Sequence, residues 1–199
     1  VILNSIFSRP HITLKDNSQW SLGIVTGNNT KFVSPKITKD HTIPLITGKN
    51  IDLFITKGKE KYLYNNSDKF QQVSKNNLYK AKEKLMYKFI SNKLIFAYDN
   101  TGKHTLNSAN ILIPSLKNYP IKVVMAILNS DLMNFVYQKK FRSLKVLRSS
   151  LEKLPFPKNP DKSVVREIKK TVDEILKGNI ISENILNKLV DQLYQISHF

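Results

Sequence analysis

The residue types that most often carry catalysis are few and scattered in this sequence. Cysteine is absent, which excludes thiolate metal sites and a disulfide framework. The four histidines never stand three or four residues apart, the spacing that lets two imidazoles on one helix share a metal. They are His11, His41, His104 and His198. Motifs for acyl transfer, nucleotide hydrolysis and dinucleotide binding are also missing, so the sequence predicts no metal site and no nucleophilic centre.

One string imitates a metal-dependent nuclease. Pro160, Asp161, Glu167 and Lys169 match the PD...ExK lettering, in which two carboxylates hold a divalent ion. Glu167 and Lys169 fall inside a predicted amphipathic helix, however, and would point to different faces of it. An adenine methyltransferase would need an Asn-Pro-Pro-Tyr type motif to hold the flipped base, and the sequence has none. We therefore predict no catalytic centre and no cofactor in this chain.

Charge points to a polyanion as the partner. The chain has 32 Lys and Arg against 15 Asp and Glu, a formal net charge of +17. Such an excess is typical of nucleic-acid binding. Abundant Lys and Asn also reflect an AT-rich genome, which explains the preference for Lys over Arg but not the shortage of acidic residues. Nucleic acid is therefore the leading partner.

Neither a membrane span nor a secretion signal is predicted. The longest apolar stretch, residues 121–137, is interrupted by Lys122 and Asp131, so it is too polar to cross a bilayer. The first residues lack both a Met and the charged-then-apolar order of a signal peptide. We expect a bacterial cytoplasmic protein and a chain that is cut from inside a longer one.

The pattern of apolar residues predicts an α+β fold. Short apolar runs separated by turn residues indicate strands from Trp20 to Tyr98, interrupted by an exposed polar excursion over residues 59–84. Residues 120–138 are apolar on nearly every side, which predicts one buried helix. Prolines at 155, 157 and 160 indicate a boundary near residue 160.

A helical hairpin is predicted after that boundary. Ser163 would cap a helix that ends at Gly178, and Ser182 would cap a second one; both have an apolar face that needs a partner. The predicted domains are thus a mainly β domain with a buried helix over residues 1–160 and a hairpin over 161–199. The hairpin would pack on that domain or on a neighbouring one.

Five short motifs, in order, resemble those of a known family. Trp20 precedes the first of them, and ILNKLVDQLYQI at 185–196 resembles the family's closing helix. The motifs are GIVTGNNTKFV at 23–33, IPLITGKNI at 43–51, KFISNKLIFAYD at 88–99, AILNSDLMNFVY at 126–137 and LRSSLEKLPFP at 147–157. Together they resemble the TaqI-like C-terminal specificity domain over residues 18–196.

The resemblance implies a domain that recognises a sequence in double-stranded DNA. Such domains are usually fused behind an N6-adenine methyltransferase domain and are often part of type IIG or related restriction-modification enzymes. It therefore implies a methyltransferase domain upstream of Val1, with S-adenosylmethionine as the cofactor of that domain. The same enzyme could also cleave DNA.

Two turns are candidates for DNA contact. Asn28 and Asn29, on a turn made by Gly27, would bring amides that can pair with adenine, with Lys31 beside them; a plain hairpin turn is the alternative. In the second turn, Lys49 and Asn50 would meet the duplex, with Lys49 neutralising a phosphate, unless the turn is simply solvated.

The basic segment, residues 139–148, is the strongest candidate. It holds two of the four arginines of a Lys-dominated chain, and a guanidinium suits phosphate or guanine. Arg148 could instead hold the preceding helix to the Leu-Pro exit. The cations are Lys139, Lys140, Arg142, Lys145 and Arg148.

Three other functions remain open from the sequence. A fragment of a type I specificity subunit would come from a chain with a second recognition domain and no Asn-Pro-Pro-Tyr motif. A structural RNA-binding domain would show no preference for duplex DNA. A stand-alone nuclease would cleave DNA with a divalent metal.

Overall fold

A computed structural model describes residues 1–75 and 77–197. The predicted α+β fold is confirmed. In chain order, the helices of the described residues are α1 (Ile2–Ser8), α2 (Asn29–Phe32), α3 (Ile121–Asn129), α4 (Asp131–Phe141), α5 (Arg148–Leu151), α6 (Lys162–Leu176) and α7 (Glu183–Leu193). The strands are β1 (His11–Ile12), β2 (Ser18–Ser21), β3 (Val33–Ser34), β4 (His41–Ile46), β5 (Lys61–Tyr64), β6 (Lys84–Lys88), β7 (Phe96–Asp99), β8 (His104–Thr105), β9 (Ala109–Pro114) and β10 (Phe156–Pro157).

The chain packs as two compact units. The sheet unit comprises residues 20–90 and 95–113, and the helical unit comprises residues 1–19, 91–94 and the chain from Pro114 onward. This division differs from the boundary predicted near residue 160. The reason is that α6 packs on α3, so the prolines between them connect two parts of one unit.

The sheet unit contains two four-stranded sheets, as the strand pattern predicts. In the first, with the order β2-β9-β6-β7, β6 runs antiparallel to both β7 and β9. In the second, with the order β3-β5-β4-β8, β4 is antiparallel to β5 and parallel to β8. The buried cluster between these strands is aliphatic apart from Tyr79, and its members are Ile24, Leu45, Ile46, Ile51, Leu63, Tyr79, Met86, Ala97, Leu106, Ala109 and Ile111.

The segment predicted to be an exposed excursion, residues 59–84, is partly integrated into the sheet unit. It contains β5, which pairs with both β3 and β4 and buries Leu63. Tyr79 and Lys84 are also buried. The prediction was wrong at these positions because a four-residue strand with two tyrosines, KYLY, lies within the polar stretch, and tyrosine favours strands.

In the helical unit, the single helix predicted over 120–138 is two helices. The break is at Ser130, whose backbone is extended and whose Oγ accepts a hydrogen bond from Met133 N (3.1 Å), capping α4. Asp131 then lies in the first turn, where a carboxylate is stabilised by the helix dipole. The prediction of burial is confirmed, because Val123 to Asn129 are all buried. Among the described residues, no helix is long and apolar enough to cross a membrane.

The predicted hairpin is formed by α6 and α7, and the apolar face of α6 has its partner in α3. A 2.5 Å ion pair between Lys122 and Asp173 joins α3 to α6. The first helix begins earlier than predicted, because Asp161 instead of Ser163 is its cap and accepts hydrogen bonds from two backbone N–H groups. Ser182 is at the cap position of α7 but makes no capping bond with its side chain.

A four-residue finger, Ser91–Leu94, also belongs to the helical unit. Leu94 N donates to Asn134 Oδ1 (2.7 Å), and Ser91 N donates to Leu144 O (2.9 Å). Gln138 Nε2 donates to Asn92 O (2.9 Å). The finger is therefore held both to α4 and to the basic segment that follows it.

Candidate nucleic-acid interface

The predicted turn at Gly27 is the start of a helix and not a hairpin. Gly27 has a φ of +79°, which suits glycine, and Asn28 caps α2 by accepting a hydrogen bond from Lys31 N at Oδ1 (3.1 Å). Thr26 Oγ1 donates to Asn29 Oδ1 (2.5 Å). Both amide oxygens are therefore used locally, while each NH₂ is on an exposed residue. The NH₂ groups of Asn28 and Asn29 can donate to a ligand, and each oxygen keeps one lone pair for a further hydrogen bond.

Aromatic rings position two lysines next to this helix. The ring of Phe32 lies 5.5 Å from that of Tyr64 and 5.4 Å from that of Phe70, measured between centroids. Lys31 Nζ lies 5.4 Å from the Phe32 centroid, and Lys69 Nζ lies 5.5 Å from the Tyr64 centroid. The sequence predicted Lys31 as a candidate and missed Lys69, which lies in the polar excursion.

In the second predicted turn, the side chain of Asn50 is bonded within the described part of the chain and that of Lys49 is not. Asn50 Oδ1 accepts a hydrogen bond from Thr47 N (2.9 Å), which closes a capping box around the 3-10 turn Gly48–Asn50. Asn50 Nδ2 donates to Lys57 O (3.0 Å). The amide of Asn50 is thus structural, whereas the side chain of Lys49 is exposed.

The basic segment begins at the carboxyl end of α4. All five of its predicted cations are exposed: Lys139, Lys140, Arg142, Lys145 and Arg148. Arg142 ends the helix in the left-handed conformation with a φ of 43°. Beyond it, Ser143 Oγ accepts from Lys145 N (3.1 Å), and Val146 is buried. The segment therefore has a defined path that leaves its cations at the surface.

Three of these cations also have contacts within the helical unit. Lys139 Nζ lies 5.7 Å from the centroid of Phe135, and Lys140 Nζ lies 4.3 Å from that of Phe7. Arg148 Nε pairs with Glu152 at 2.8 Å, within the turn of α5. Exposed ion pairs contribute only about 0–1 kcal/mol, so a phosphate could replace this partner. The predicted alternative was that Arg148 holds the preceding helix to the Leu-Pro exit; the ion pair that it makes is instead with Glu152, at the end of its own helix.

The predicted contacts fall on both units. Asn28, Asn29, Lys31, Lys49 and Asn50 belong to the sheet unit, and residues 139–148 belong to the helical unit. Each unit thus has exposed donors or cations of its own.

The sequence did not predict a buried ion pair in the sheet unit. Lys84 Nζ donates to Asp99 Oδ2 (2.5 Å) and to Tyr79 O (2.7 Å), and both charged side chains are at most 1% exposed. Burial lowers the pKa of Lys84. Burial opposes the charge of Asp99 too, but its hydrogen bonds with Lys84 and Thr101 together lower its pKa. The sequence signal for this pair was the Tyr98-Asp99 ending of the strand motif KFISNKLIFAYD.

His104, near that pair, is held in its neutral form. Its ring stacks on Tyr79 with centroids 5.0 Å apart and planes at 18°. Burial lowers the pKa of His104 to about 4. His11 and His41 make hydrogen bonds elsewhere, and His198 lies outside the described residues. Among residues 1–75 and 77–197, no group of three His, Cys, Asp or Glu side chains could hold a metal ion.

The nuclease-like lettering does not form a site. Glu167 and Lys169 both lie inside α6, as predicted, and Asp161 caps that helix. Lys169 Nζ pairs with Asp173 at 2.9 Å. Asp161, Glu167 and Lys169 are therefore the cap and two residues of α6.

Known proteins similar to this chain belong to restriction-modification systems. The chain is 44% identical over 50 residues to the type II methyltransferase M.VspI of Vibrio sp. (strain 343), covering 25% of this chain and 12% of that protein. Its fold is similar to that of the type IIL restriction-modification enzyme MmeI, whose structure was solved in complex with DNA. The TM-score is 0.60 at 13% identity, over 95% of this chain and 34% of MmeI.

An HsdS subunit from Thermoanaerobacter tengcongensis aligns with a TM-score of 0.48 and 11% identity, over 97% of this chain and 48% of the subunit. This chain thus spans a minor part of each of these proteins. A family model described as the TaqI-like C-terminal specificity domain matches residues 43–156, which is more than half of the chain. The resemblance predicted from the five motifs is confirmed, and the chain belongs to the family of TaqI-like C-terminal specificity domains.

Proposed function

We propose that this chain selects the double-stranded DNA sequence at which a restriction-modification enzyme acts. Membership of a family of specificity domains carries the proposal. A fold similar to that of MmeI, an enzyme solved with DNA, supports it. The net charge of +17 supplies the attraction to phosphates on which duplex binding depends.

The enzyme that we propose is an N6-adenine DNA methyltransferase fused upstream of this chain. The local identity to a type II methyltransferase supports a methylating partner. S-adenosylmethionine would bind in that catalytic domain, which in some enzymes of this kind is accompanied by an endonuclease. In this proposal the chain positions the duplex, and the reaction takes place in the other domain.

The exposed side chains divide by chemistry. Lysines neutralise phosphates and fix the register on the duplex without reading its sequence; these are Lys31, Lys49, Lys139, Lys140 and Lys145. Arg142 and Arg148 have planar, forked donors that suit a phosphate or the O6 and N7 of guanine. Asn28 and Asn29 contribute NH₂ donors. Asn50 is left out, because its amide is bonded within the chain.

Selection from a random duplex library tests this proposal in the full-length protein. We expect one consensus sequence to be enriched, and we expect that same sequence to be methylated on adenine when S-adenosylmethionine is added. Enrichment of no sequence, with equal competition by a folded RNA, would contradict the proposal and favour RNA binding. A consensus without any methylation would retain DNA recognition and reject the fused methyltransferase.

A further inference from the structure

The sheet unit has a shallow groove of about 260 Å³ beside the start of α2. Residues 24–29 and Asn107 line it. The lining includes no acidic side chain, so no carboxylate in it repels a phosphate. The groove is polar at its rim, where Asn28, Asn29 and Asn107 are all exposed.

Backbone hydrogen bonds fix the segments around this groove. Val25 and Gln72 bond reciprocally, at 3.0 Å and 2.9 Å, and Gln71 N donates to Thr26 O (3.3 Å). On the other side, Asn107 N donates to Ile24 O (3.0 Å). Side chains on these segments therefore project from a backbone that is positioned before any ligand arrives, which lowers the entropic cost of binding.

Gln71 lies against the rim of the groove. A Cβ built on Gly27, which lines the groove, would lie 3.3 Å from Gln71 Cβ and 3.4 Å from Gln71 Oε1. The absence of a side chain on Gly27 thus leaves space that the amide of Gln71 uses. Gln71 is nevertheless exposed, so its amide can reach a ligand.

The amides around the groove differ in what they can still bond. Those of Asn28 and Asn29 have their oxygens engaged by Lys31 N and Thr26 Oγ1. In contrast, the hydrogen bonds found among residues 1–75 and 77–197 do not use the side chains of Gln71 or Asn107. Both of these amides therefore keep an acceptor and a donor together, the combination that pairs with N6 and N7 of adenine in the major groove.

We propose that Gln71 and Asn107 are specificity-determining residues, each reading one adenine through its side-chain amide. This inference rests on the proposed function, because it requires a duplex bound at the sheet unit. It assigns adenine recognition to residues that the sequence did not single out and whose amides, unlike those of Asn28 and Asn29, are not already bonded within the described part of the chain.

The test compares consensus sequences selected by the full-length protein and by its Gln71→Ala and Asn107→Ala variants. Each variant is expected to lose the preference for adenine at one position and to bind the original site roughly tenfold to one hundredfold more weakly. Gln72→Ala is the matched control, since Gln72 is an exposed glutamine next to Gln71 but, unlike Gln71, has no atom within 4 Å of a Cβ built on Gly27. We expect its consensus to be unchanged.

A base analogue tests the contact directly. Replacing the adenine assigned to Gln71 by 7-deazaadenine removes N7. This should weaken DNA binding by the original protein, but it should not further weaken DNA binding by the Gln71→Ala variant. Gln71→Glu keeps the size of the side chain while removing its donor, and it should shift the preference towards cytosine, whose N4 is a donor.

The outcomes separate this inference from the proposed function. If the original protein selects no consensus, the proposed function fails. If it selects one and the two alanine variants select the same one, or if Gln72→Ala has an equal effect, the inference fails while the proposed function stands.

Discussion

Lys84 and Asp99 are charges that tolerate burial because their partners are in place. Lys84 bonds to Asp99 and to Tyr79 O, and Asp99 also accepts from Thr101 Oγ1 (2.6 Å) and Lys103 N (3.1 Å). An ammonium or carboxylate in such surroundings costs several kcal/mol without its partner. The pair therefore restricts which substitutions the sheet unit accepts.

Asp99→Asn should destabilise the fold by roughly 3–5 kcal/mol, because it leaves the Lys84 ammonium buried beside a neutral amide. Urea unfolding followed by circular dichroism measures the change. Asp68→Asn, at an exposed acid, is the matched control and should change stability by less than about 0.5 kcal/mol. Equal stabilities of the two variants would show that Lys84 does not depend on Asp99.

His104 should make stability depend on pH between about 6.5 and 4. Its pKa in the folded chain is lowered to about 4, so in this window the unfolded chain binds a proton that the folded chain does not. The contribution of neutral His104 to the free energy of unfolding is therefore fully present above pH 6.5, and it is lost as the pH is lowered towards 4. Melting temperatures measured across this range should fall less steeply in His104→Asn, and parallel curves for the two proteins would contradict the assignment.

Family motifs turn out to encode architecture more than contact. Gly23 of GIVTG allows a close approach, since a Cβ there would lie 2.1 Å from Leu106 O. Ser130 of the LNS motif caps a helix, and Asp99 ends its strand in a buried ion pair. Spacing alone therefore identified the family, but it could not distinguish an amide that caps a helix, such as Asn28, from one that is available to DNA.

At the scale of elements, the two C-terminal helices provide a comparison of caps. Asp161 Oδ1 accepts from Ser163 N (2.8 Å) and Val164 N (3.3 Å), whereas the Ser182 side chain accepts no such bond. Asp161→Ala should therefore cost roughly 0.5–2 kcal/mol, and Ser182→Ala should cost clearly less. Thermal unfolding of both variants measures the difference, and a larger loss for Ser182→Ala would contradict the cap assignment.

Most elements could be predicted, and the exceptions have local causes. Helical periodicity placed α6 and α7 correctly because each has one apolar face. The division between α3 and α4 was missed because apolar residues continue on both sides of Ser130, whose capping bond begins the second helix. β5 was missed because its four residues, Lys61–Tyr64, stand between the polar runs KGKE and NNSD.

For the whole molecule, the salt dependence of DNA binding separates local contacts from net charge. One double variant, Lys139→Gln with Lys145→Gln, lacks two charges of the basic segment. Its control, Lys170→Gln with Lys188→Gln, lacks two charges of α6 and α7. The first pair should reduce the slope of log affinity against log salt by roughly 2, and the second should leave it nearly unchanged. Equal slopes in the two double variants would mean that the basic segment does not touch phosphates.

The position of the Ser91–Leu94 finger affects how the sheet unit could be exchanged between related enzymes. The finger lies within the sequence of the sheet unit but is bonded to Asn134, Gln138 and Leu144 of the helical unit. If the whole segment from Trp20 to Ile113 were transplanted, the donor's finger would have to make these bonds with the recipient's residues. A chimera that keeps the recipient's own four residues there would preserve these bonds. We therefore expect recombination of such domains to require that residues 91–94 match the recipient, as well as the two outer crossover points.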